Sequence, residues 1–400
     1  MRILLTSDTY APAVNGVVTS LLTLRRELTR RGHEVRVLTL SGEGHGWQAD
    51  GVYAVGSLDA GRIYPGARLM APALSSPMGQ LIAWCPDVVH SQCEFSTFGM
   101  ARRIAKACHA PLVHTYHTVY EDYTHYFSPS RRWGRAMVRW FTRAVTARTD
   151  AVIAPTEKVR RLLEGYGVKK PVRVIPTGID LDRFAAAPAP ALVQARRAAL
   201  GIPDGHTVLL FVGRLAREKS IDELLESRAA LGAAPVTLLL AGGGPDEPRL
   251  RRKAASLGLS APAVVFAGMV SPAEVPLYYH LGDVFVSASR SETQGLTYIE
   301  AMAAGLPLIC RADPCLEGVV TGGVNGWQYD TSTGRDTALT ALLADPGMRR
   351  AMGRQSARTA EQFSAQQFAL RVEALYREAC LAKAADSRPL FGRGLVPAGR

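Results

Sequence analysis

The chain has little cysteine and no cysteine pattern. Its six cysteines stand at 85, 93, 108, 310, 315 and 380, and none forms Cys-x-x-Cys. That spacing speaks against a disulfide framework or a structural zinc, and favours a reducing cytosol. Long apolar runs are missing as well: no stretch approaches the ~18 residues that a spanning helix needs. Met1-Arg-Ile-Leu-Leu-Thr-Ser-Asp8 meets a charge too early for a secretory signal. No Gly-x-Gly-x-x-Gly follows the first strand of either half, and a Walker A loop is absent. Gly242-Gly-Gly-Pro245 follows a strand but runs straight into proline and acids. These absences count against a dehydrogenase and a P-loop NTPase.

What is present is globular and basic. Four hundred residues, 47% of them apolar, exceed one ordinary core, so two domains are expected. The net charge of +12 is uneven. Residues 1–180 hold 23 Lys and Arg against 14 Asp and Glu, whereas residues 181–400 hold 24 against 21. A basic first half implies a polyanionic partner: nucleic acid, an anionic membrane or a phosphorylated substrate.

Short apolar runs at 2–7, 34–40, 87–90, 111–116, 150–154 and 172–175 predict strands. Helical patterns fall between several of them, at 17–31, 96–109, 131–148 and 157–165. After Ala187-Pro-Ala-Pro190, read as a linker edge, strand runs resume at 207–212, 236–241, 264–267, 284–287 and 308–310. The fold class is therefore α/β, with two doubly wound, largely parallel sheets. The domains are expected at 1–180 and 181–382. The last helix, 365–382, is free to pack back on the first domain. Residues 383–400, rich in Pro, Gly and Arg, are expected to be disordered.

The segment Glu292-Thr-Gln-Gly-Leu-Thr-Tyr-Ile-Glu300 follows the run at 282–289 and ends before Gly305 and Pro307. This reads as strand, loop and helix, with Glu292 on the loop and Glu300 in the helix. The helix would start at Gln294, Gly295 and Leu296, where free N–H groups favour anions beyond a strand's carboxyl end. Carboxylates would repel an anion, so the two acids fit the neutral hydroxyls of a sugar or ribose. The alternative is two solvated acids flanking a buried helix. Gly213-Arg214 ends another strand, with Lys219 five residues on. Glycine permits close approach, Arg214 can fork onto phosphate oxygens and Lys219 adds a point charge. A charged loop with local salt bridges is the competing reading. Gly16 opens the first helix after Asn15 and could present N–H groups to phosphate or sugar oxygens.

The segment His114 to Tyr126 is dense in polar and aromatic groups and follows a strand. A zinc set from His114, His117, Glu121 and Asp122 does not come round a tetrahedron in any obvious way. An active-site histidine with aromatic walls for a sugar or lipid headgroup suits the pattern better. For His114 and His125, a satisfied cluster at a domain cleft remains the alternative. The run 131–148 has six arginines and no acid. Arg131, Arg135, Arg139 and Arg143 step by four beside Arg132, while Trp133, Met137, Trp140 and Phe141 form an apolar stripe. This composition suits an anionic bilayer surface. An ordinary amphipathic helix with its apolar face in the core competes with it. No nucleic-acid recognition motif accompanies the stripe.

The ordered set Gly16, His117, Gly213-Arg214…Lys219 and Glu292-x7-Glu300 resembles the family-4 retaining glycosyltransferases of the GT-B fold, over about residues 1–380. Val113 to Tyr123, Ala154-Pro-Thr-Glu-Lys158 and Ser291 to Glu300 look most like bacterial diacylglycerol glucosyltransferases. The resemblance implies two Rossmann-like domains facing a cleft, with UDP-glucose as donor and diacylglycerol as acceptor. It also implies peripheral attachment to the cytosolic face of the membrane. Arg214, Lys219, Gly16 and the amides of Gln294, Gly295 and Leu296 would hold the donor's diphosphate end. Glu300 would take the ribose, Glu292 the donor sugar, and His117 would sit at the anomeric site. No cofactor or metal is expected, because those cations and amides already supply charge and no Asp-x-Asp loop of the metal-dependent kind is identified. Rival readings are another acceptor (phosphatidylinositol or a polyprenyl lipid), GDP-mannose as donor, or a non-catalytic membrane or nucleic-acid binding protein.

Overall fold

A computed structural model describes residues 1–13, 15–42, 44–59, 68–70, 77–121 and 130–386. The first half supplies β1 (Arg2–Ser7), β2 (Glu34–Leu40), β3 (Trp47–Ala49), β4 (Val52–Val55), β5 (Ser57–Asp59) and β6 (Arg68–Met70). It continues with β7 (Val88–Ser91), β8 (Leu112–Thr115), β9 (Ala151–Ala154) and β10 (Val172–Val174). Its helices are α1 (Gly16–Arg30), α2 (Met78–Trp84), α3 (Ser96–Ala107), α4 (Arg131–Thr146) and α5 (Glu157–Gly165). The second half supplies β11 (Thr207–Val212), β12 (Val236–Ala241), β13 (Val264–Gly268), β14 (Val284–Ser287), β15 (Leu308–Arg311) and β16 (Gly326–Tyr329). Around them lie α6 (Leu181–Ala185), α7 (Pro190–Ala199), α8 (Ile221–Ala230), α9 (Glu247–Ser256), α10 (Val275–Tyr279) and α11 (Leu296–Ala303). The chain ends its described part with α12 (Ser332–Ala344), α13 (Pro346–Ala360) and α14 (Ala365–Asp386).

Two sheets result, ordered β10-β9-β8-β7-β1-β2-β4-β3 and β13-β12-β11-β14-β15-β16. All their pairings are parallel except β3 with β4, while β5 and β6 form a separate antiparallel pair. Burial on both faces explains the continuous apolar runs. Along β1, Ile3 and Leu5 meet Leu21 and Leu24 of α1, whereas Leu4 meets Phe98 and Ile104 of α3. Along β11, Leu209 and Phe211 meet α8, while Val208 and Leu210 face Tyr279 and Ile299. Strand order reverses between β1 and β7 in one sheet and between β11 and β14 in the other. The carboxyl ends at these reversals form crevices where α/β sheets bind ligands. The loop after β1 leads to Gly16 at the start of α1, and the connections after β11 and β14 carry Lys219 and Glu292.

The edge hairpin β3–β4 was not expected, although Asp50-Gly51 between its strands is a two-residue turn signal. Both turn residues have positive φ, at 49° and 73°. The strands are so short that periodicity does not mark them. The crossing between lobes also differs from the linker reading. Ile179 and Phe184 are already in the second lobe's core, so the Ala187–Pro190 segment lies beyond the crossing. The return crossing runs beside it: Ile179 N donates to Phe363 O at 3.0 Å, and Ala365 N to Ile179 O at 2.8 Å. Gly178 permits this contact, since a Cβ there would sit 2.5 Å from Ser364 O.

After that return, α14 packs on the first lobe through Phe368, Val372 and Tyr376. The helix extends four residues past the expected end at 382, because Lys-Ala-Ala-Asp386 suits a helix and Lys383 Nζ reaches Asp150 Oδ1 at 3.0 Å. Residues 383–386 are thus not part of a disordered tail, and 387–400 lie outside the described residues. Glu373 of α14 accepts from Arg31 and Arg377, both at 2.6 Å, with His33 at 3.4 Å. Burial alone would raise its carboxyl, but these donors outweigh burial and hold it down at about 2. A depressed carboxylate stabilises the fold above its unfolded pKa, and the contribution is lost as pH falls through the folded one. Between about pH 4.5 and 2 the docking of α14 should therefore weaken, by an amount on the order of 3 kcal/mol. Thermal melts across that range should show a steeper acid loss for the wild type than for Glu373→Gln. Parallel curves would exclude the assignment.

Candidate functional site

The β14–α11 turn is built around Gly295. Its φ of 72° is left-handed, and a Cβ there would collide with the Tyr298 ring. Tyr298 is fully buried and bonded to Ser287 Oγ at 2.8 Å, so it cannot yield. The turn leaves the N–H groups of Thr293, Gln294, Gly295 and Leu296 with no protein acceptor among the described residues. Lys219 Nζ lies 2.5 Å from Glu292 Oε1, so β11's loop and β14's loop meet through an ion pair that the sequence reading did not include. Arg214 points instead to Glu218, half-exposed, on its own loop. Glu300, half-buried on α11, accepts from Tyr279 Oη at 2.6 Å. Burial raises its carboxyl above the ordinary range; the Tyr279 hydroxyl and the Arg183 charge offset this in part. The Gln294 side chain is committed elsewhere, exchanging two 2.8 Å bonds with the Thr177 backbone, which leaves its backbone N–H as the group free to act at the turn.

On the first lobe, Asn15 caps α1 by accepting from Val18 N at 2.9 Å, and Gly16 opens the helix. A Cβ on Gly16 would meet nothing within 4 Å, so the protein itself does not demand glycine there. His117 follows β8, and its Nε2 donates to Gln92 Oε1 at 2.7 Å. Burial, with the neighbouring His114, lowers its pKa to about 3, so the imidazole is neutral at ordinary pH. Gln92 follows β7 at the strand-order reversal and is 2% exposed. Beside it, Glu94 accepts from Tyr120 Oη at 2.5 Å and lies 3.3 Å from His114 Nε2. His114 is therefore a buried member of a polar cluster. Asp122 and His125 lie outside the described residues, and among those described no group of three or more His, Cys, Asp and Glu is arranged to hold a metal. Asp180-Leu-Asp182 does have Asp-x-Asp spacing, but it lies at the lobe crossing with Asp180 bonded to Arg26 at 3.1 Å.

Helix α4 shows its apolar stripe to solvent. Trp133, Met137 and Trp140 are 78%, 48% and 64% exposed. Phe141 leaves that stripe: it is half-buried, stacked on Phe95 at 5.6 Å. The helix's core contacts come from Val138, Thr142 and Val145 instead. Arg132, Arg135, Arg139 and Arg143 are all exposed. Arg135 and Arg139 share Glu121 at 3.6 and 3.7 Å. The side chain of Arg131 is outside the described residues. Among the described residues no helix is long and apolar enough to cross a membrane.

Sequence reasoning missed Gln92, Glu94 and Tyr279. Each is a single residue joined to its partner only by the fold. It also missed why Gly242-Gly-Gly244 is there. A Cβ at Gly242 would collide with the Gly213 carbonyl, and one at Gly244 with the Leu215 carbonyl. These glycines let the Gly213–Leu215 turn lie against the β12 loop, and Leu215 N donates to Gly243 O at 2.9 Å.

Comparisons with known proteins agree with this architecture. The sequence pattern described as Glycosyltransferase Family 4 matches residues 14–183, and that described as Glycosyl transferases group 1 matches residues 193–359. An alpha-monoglucosyldiacylglycerol synthase of Streptococcus pneumoniae is 36% identical over 95% of this chain and 86% of its own length. Another of that name, from Acholeplasma laidlawii, is 31% identical over 94% and 96%. Among solved structures, sucrose-phosphate synthase from Thermosynechococcus elongatus shares the fold, with a TM-score of 0.72, at 22% identity over 95% of this chain and 99% of that one. The chain therefore belongs to the family-4 glycosyltransferases and has their two-lobed GT-B fold.

Proposed function

We propose that this glycosyltransferase moves a glucosyl group from UDP-glucose to the free hydroxyl of diacylglycerol, with retention, at the cytosolic face of an anionic membrane. The observation that carries the lipid acceptor is the exposure of Trp133, Met137 and Trp140 on α4, within an arginine-bearing helix of the first lobe. Solvated tryptophans beside arginines suit the interface of a bilayer. Identity to two alpha-monoglucosyldiacylglycerol synthases along nearly the whole chain supports the same reading.

In this reading, the amides of Gln294, Gly295 and Leu296 and the Lys219 ammonium receive the donor diphosphate. Arg214 joins them on releasing Glu218, and Gly16 adds its amide from the other lobe. Charge grows on the leaving diphosphate in the transition state, and donors already aimed at it lower the barrier. Glu300 accepts from the ribose hydroxyls and Glu292 from the sugar. Neutral His117, its Nε2 proton held by Gln92, offers Nδ1 to a sugar hydroxyl near the anomeric carbon. The acceptor hydroxyl enters on the leaving-group side, which keeps the α configuration. The cleft excludes water and so limits hydrolysis. These cations and amides supply the charge, so the reading needs no metal.

Vesicles with and without diacylglycerol, supplied in turn with labelled UDP-glucose, UDP-galactose and GDP-mannose, test it. Labelled lipid sensitive to α-glucosidase is expected only with UDP-glucose and diacylglycerol together. Label from GDP-mannose, or into phosphatidylinositol, would replace the donor or the acceptor. Tight nucleotide binding without any product would support a binding protein instead.

A further inference from the structure

Three consecutive residues of the turn before α11 are held by the other lobe. Lys158 Nζ, in α5, donates to Glu292 O at 2.9 Å and to both Asp313 carboxylate oxygens at 2.8 Å. Its three ammonium hydrogens thus meet three acceptors. Thr156 Oγ1 donates to Thr293 O at 2.9 Å while capping α5 by accepting from Val159 N. The Gln294 side chain closes the series on Thr177. Asp313 is itself fixed, 7% exposed and accepting from Cys315 N at 2.8 Å. These bonds span more than a hundred residues of sequence and join the two lobes, yet touch nothing in the turn but its carbonyls and one amide side chain.

A trans peptide is planar, so a carbonyl fixed on one side fixes the next N–H on the opposite side. Holding the carbonyls of Glu292 and Thr293 towards α5 therefore turns the N–H groups of Thr293 and Gln294 away from it. Those N–H groups have no protein acceptor among the described residues. We propose that Thr156 and Lys158 are positioning residues. From the first lobe, they set the peptide planes of the turn that meets the donor diphosphate in the second. Anion affinity at α11 then depends on the lobes being docked, and a complete diphosphate site forms only when the cleft has its working shape. This inference rests on the diphosphate reading above.

The test compares nucleoside diphosphate with nucleoside on the full chain, by calorimetry, with UDP against uridine and GDP against guanosine. The ratio of affinities isolates the phosphate contacts. For the wild type, the diphosphate of the preferred pair should bind roughly 100-fold tighter than its nucleoside. Lys158→Met and Thr156→Val should each cut that ratio by about tenfold and leave nucleoside affinity unchanged, while Thr156→Ser should restore it. Arg161→Ala serves as control. It removes an exposed inter-lobe pair with Glu317, at 3.1 Å, that does not touch the turn, and should leave the ratio intact. A preserved ratio in both folded variants would overturn the inference, and so would a parallel fall in nucleoside affinity, which marks a merely structural role. A wild-type ratio near one for both pairs would instead remove the diphosphate reading, and the inference with it.

Discussion

Lys219→Ala is expected to slow glycosyl transfer by about 10²–10³-fold with the fold intact. Two effects add. The ammonium that faces the proposed leaving group is lost, at the stage where negative charge grows. Its partner then becomes an opponent: Glu292 is only 15% exposed in its side chain, and without Lys219 its carboxylate stands uncompensated beside the turn that receives the anion. Desolvation makes such a charge costly, so the damage should exceed that of a surface cation. The double variant Lys219→Ala/Glu292→Gln separates the two effects. UDP affinity should recover about tenfold over the single variant, because the repulsion has gone. Transfer should not recover, because Glu292 is also assigned to the donor sugar. Equal UDP affinity in the single and double variants would mean that the carboxylate does not face the anion. Unchanged transfer in Lys219→Ala would remove this lysine from the site.

Much of the second-lobe site was legible because its signals are local. β14 is an uninterrupted apolar run, Gly295 is a left-handed turn residue and Gly305 ends the helix, so the sequence alone put Glu292 on a loop and Glu300 on α11. The pairing of Lys219 with Glu292 was foreshadowed only by both loops following strands; strand order is what brings them together. The remainder was not legible, because its meaning lies in partners far away. Lys158 belongs to a segment that carries the family resemblance, but its role does not show until Asp313 and Glu292 arrive, 155 and 134 residues later. Tyr279 is a core residue, and its hydroxyl is also what holds Glu300. Gly242-Gly-Gly244 does not fit a nucleotide-loop pattern, and its role is to admit another backbone. The Ala-Pro segment looked like a linker by composition. The real crossings carry no such composition, because they are packed and paired with each other rather than solvated.

The proposed membrane attachment through α4 should separate into two components that respond to different substitutions. On vesicles with anionic lipid, Arg135→Gln/Arg139→Gln/Arg143→Gln should weaken binding by roughly 10–100-fold. Each arginine near such a surface contributes about 1 kcal/mol, and Glu121 already offsets part of the charge on Arg135 and Arg139. That loss should shrink as salt rises, since the Debye length falls to about 3 Å at 1 M. Trp133→Ser/Trp140→Ser should act differently. Both rings are mostly solvent-exposed, so removing them leaves no cavity in the core and the melting temperature should hold. Binding should nevertheless fall on neutral and anionic vesicles alike, and high salt should not rescue the comparison with wild type. Affinity for free UDP should be untouched in both variants, because α4 lies on the first lobe and the proposed nucleotide contacts lie chiefly on the second. Vesicle flotation at two salt concentrations, with UDP calorimetry alongside, reads all of these at once. If neither variant releases the protein, α4 is a solvated face and the lipid acceptor must be reached by another surface. If only the arginine variant does, attachment is electrostatic and the tryptophans do not enter the bilayer.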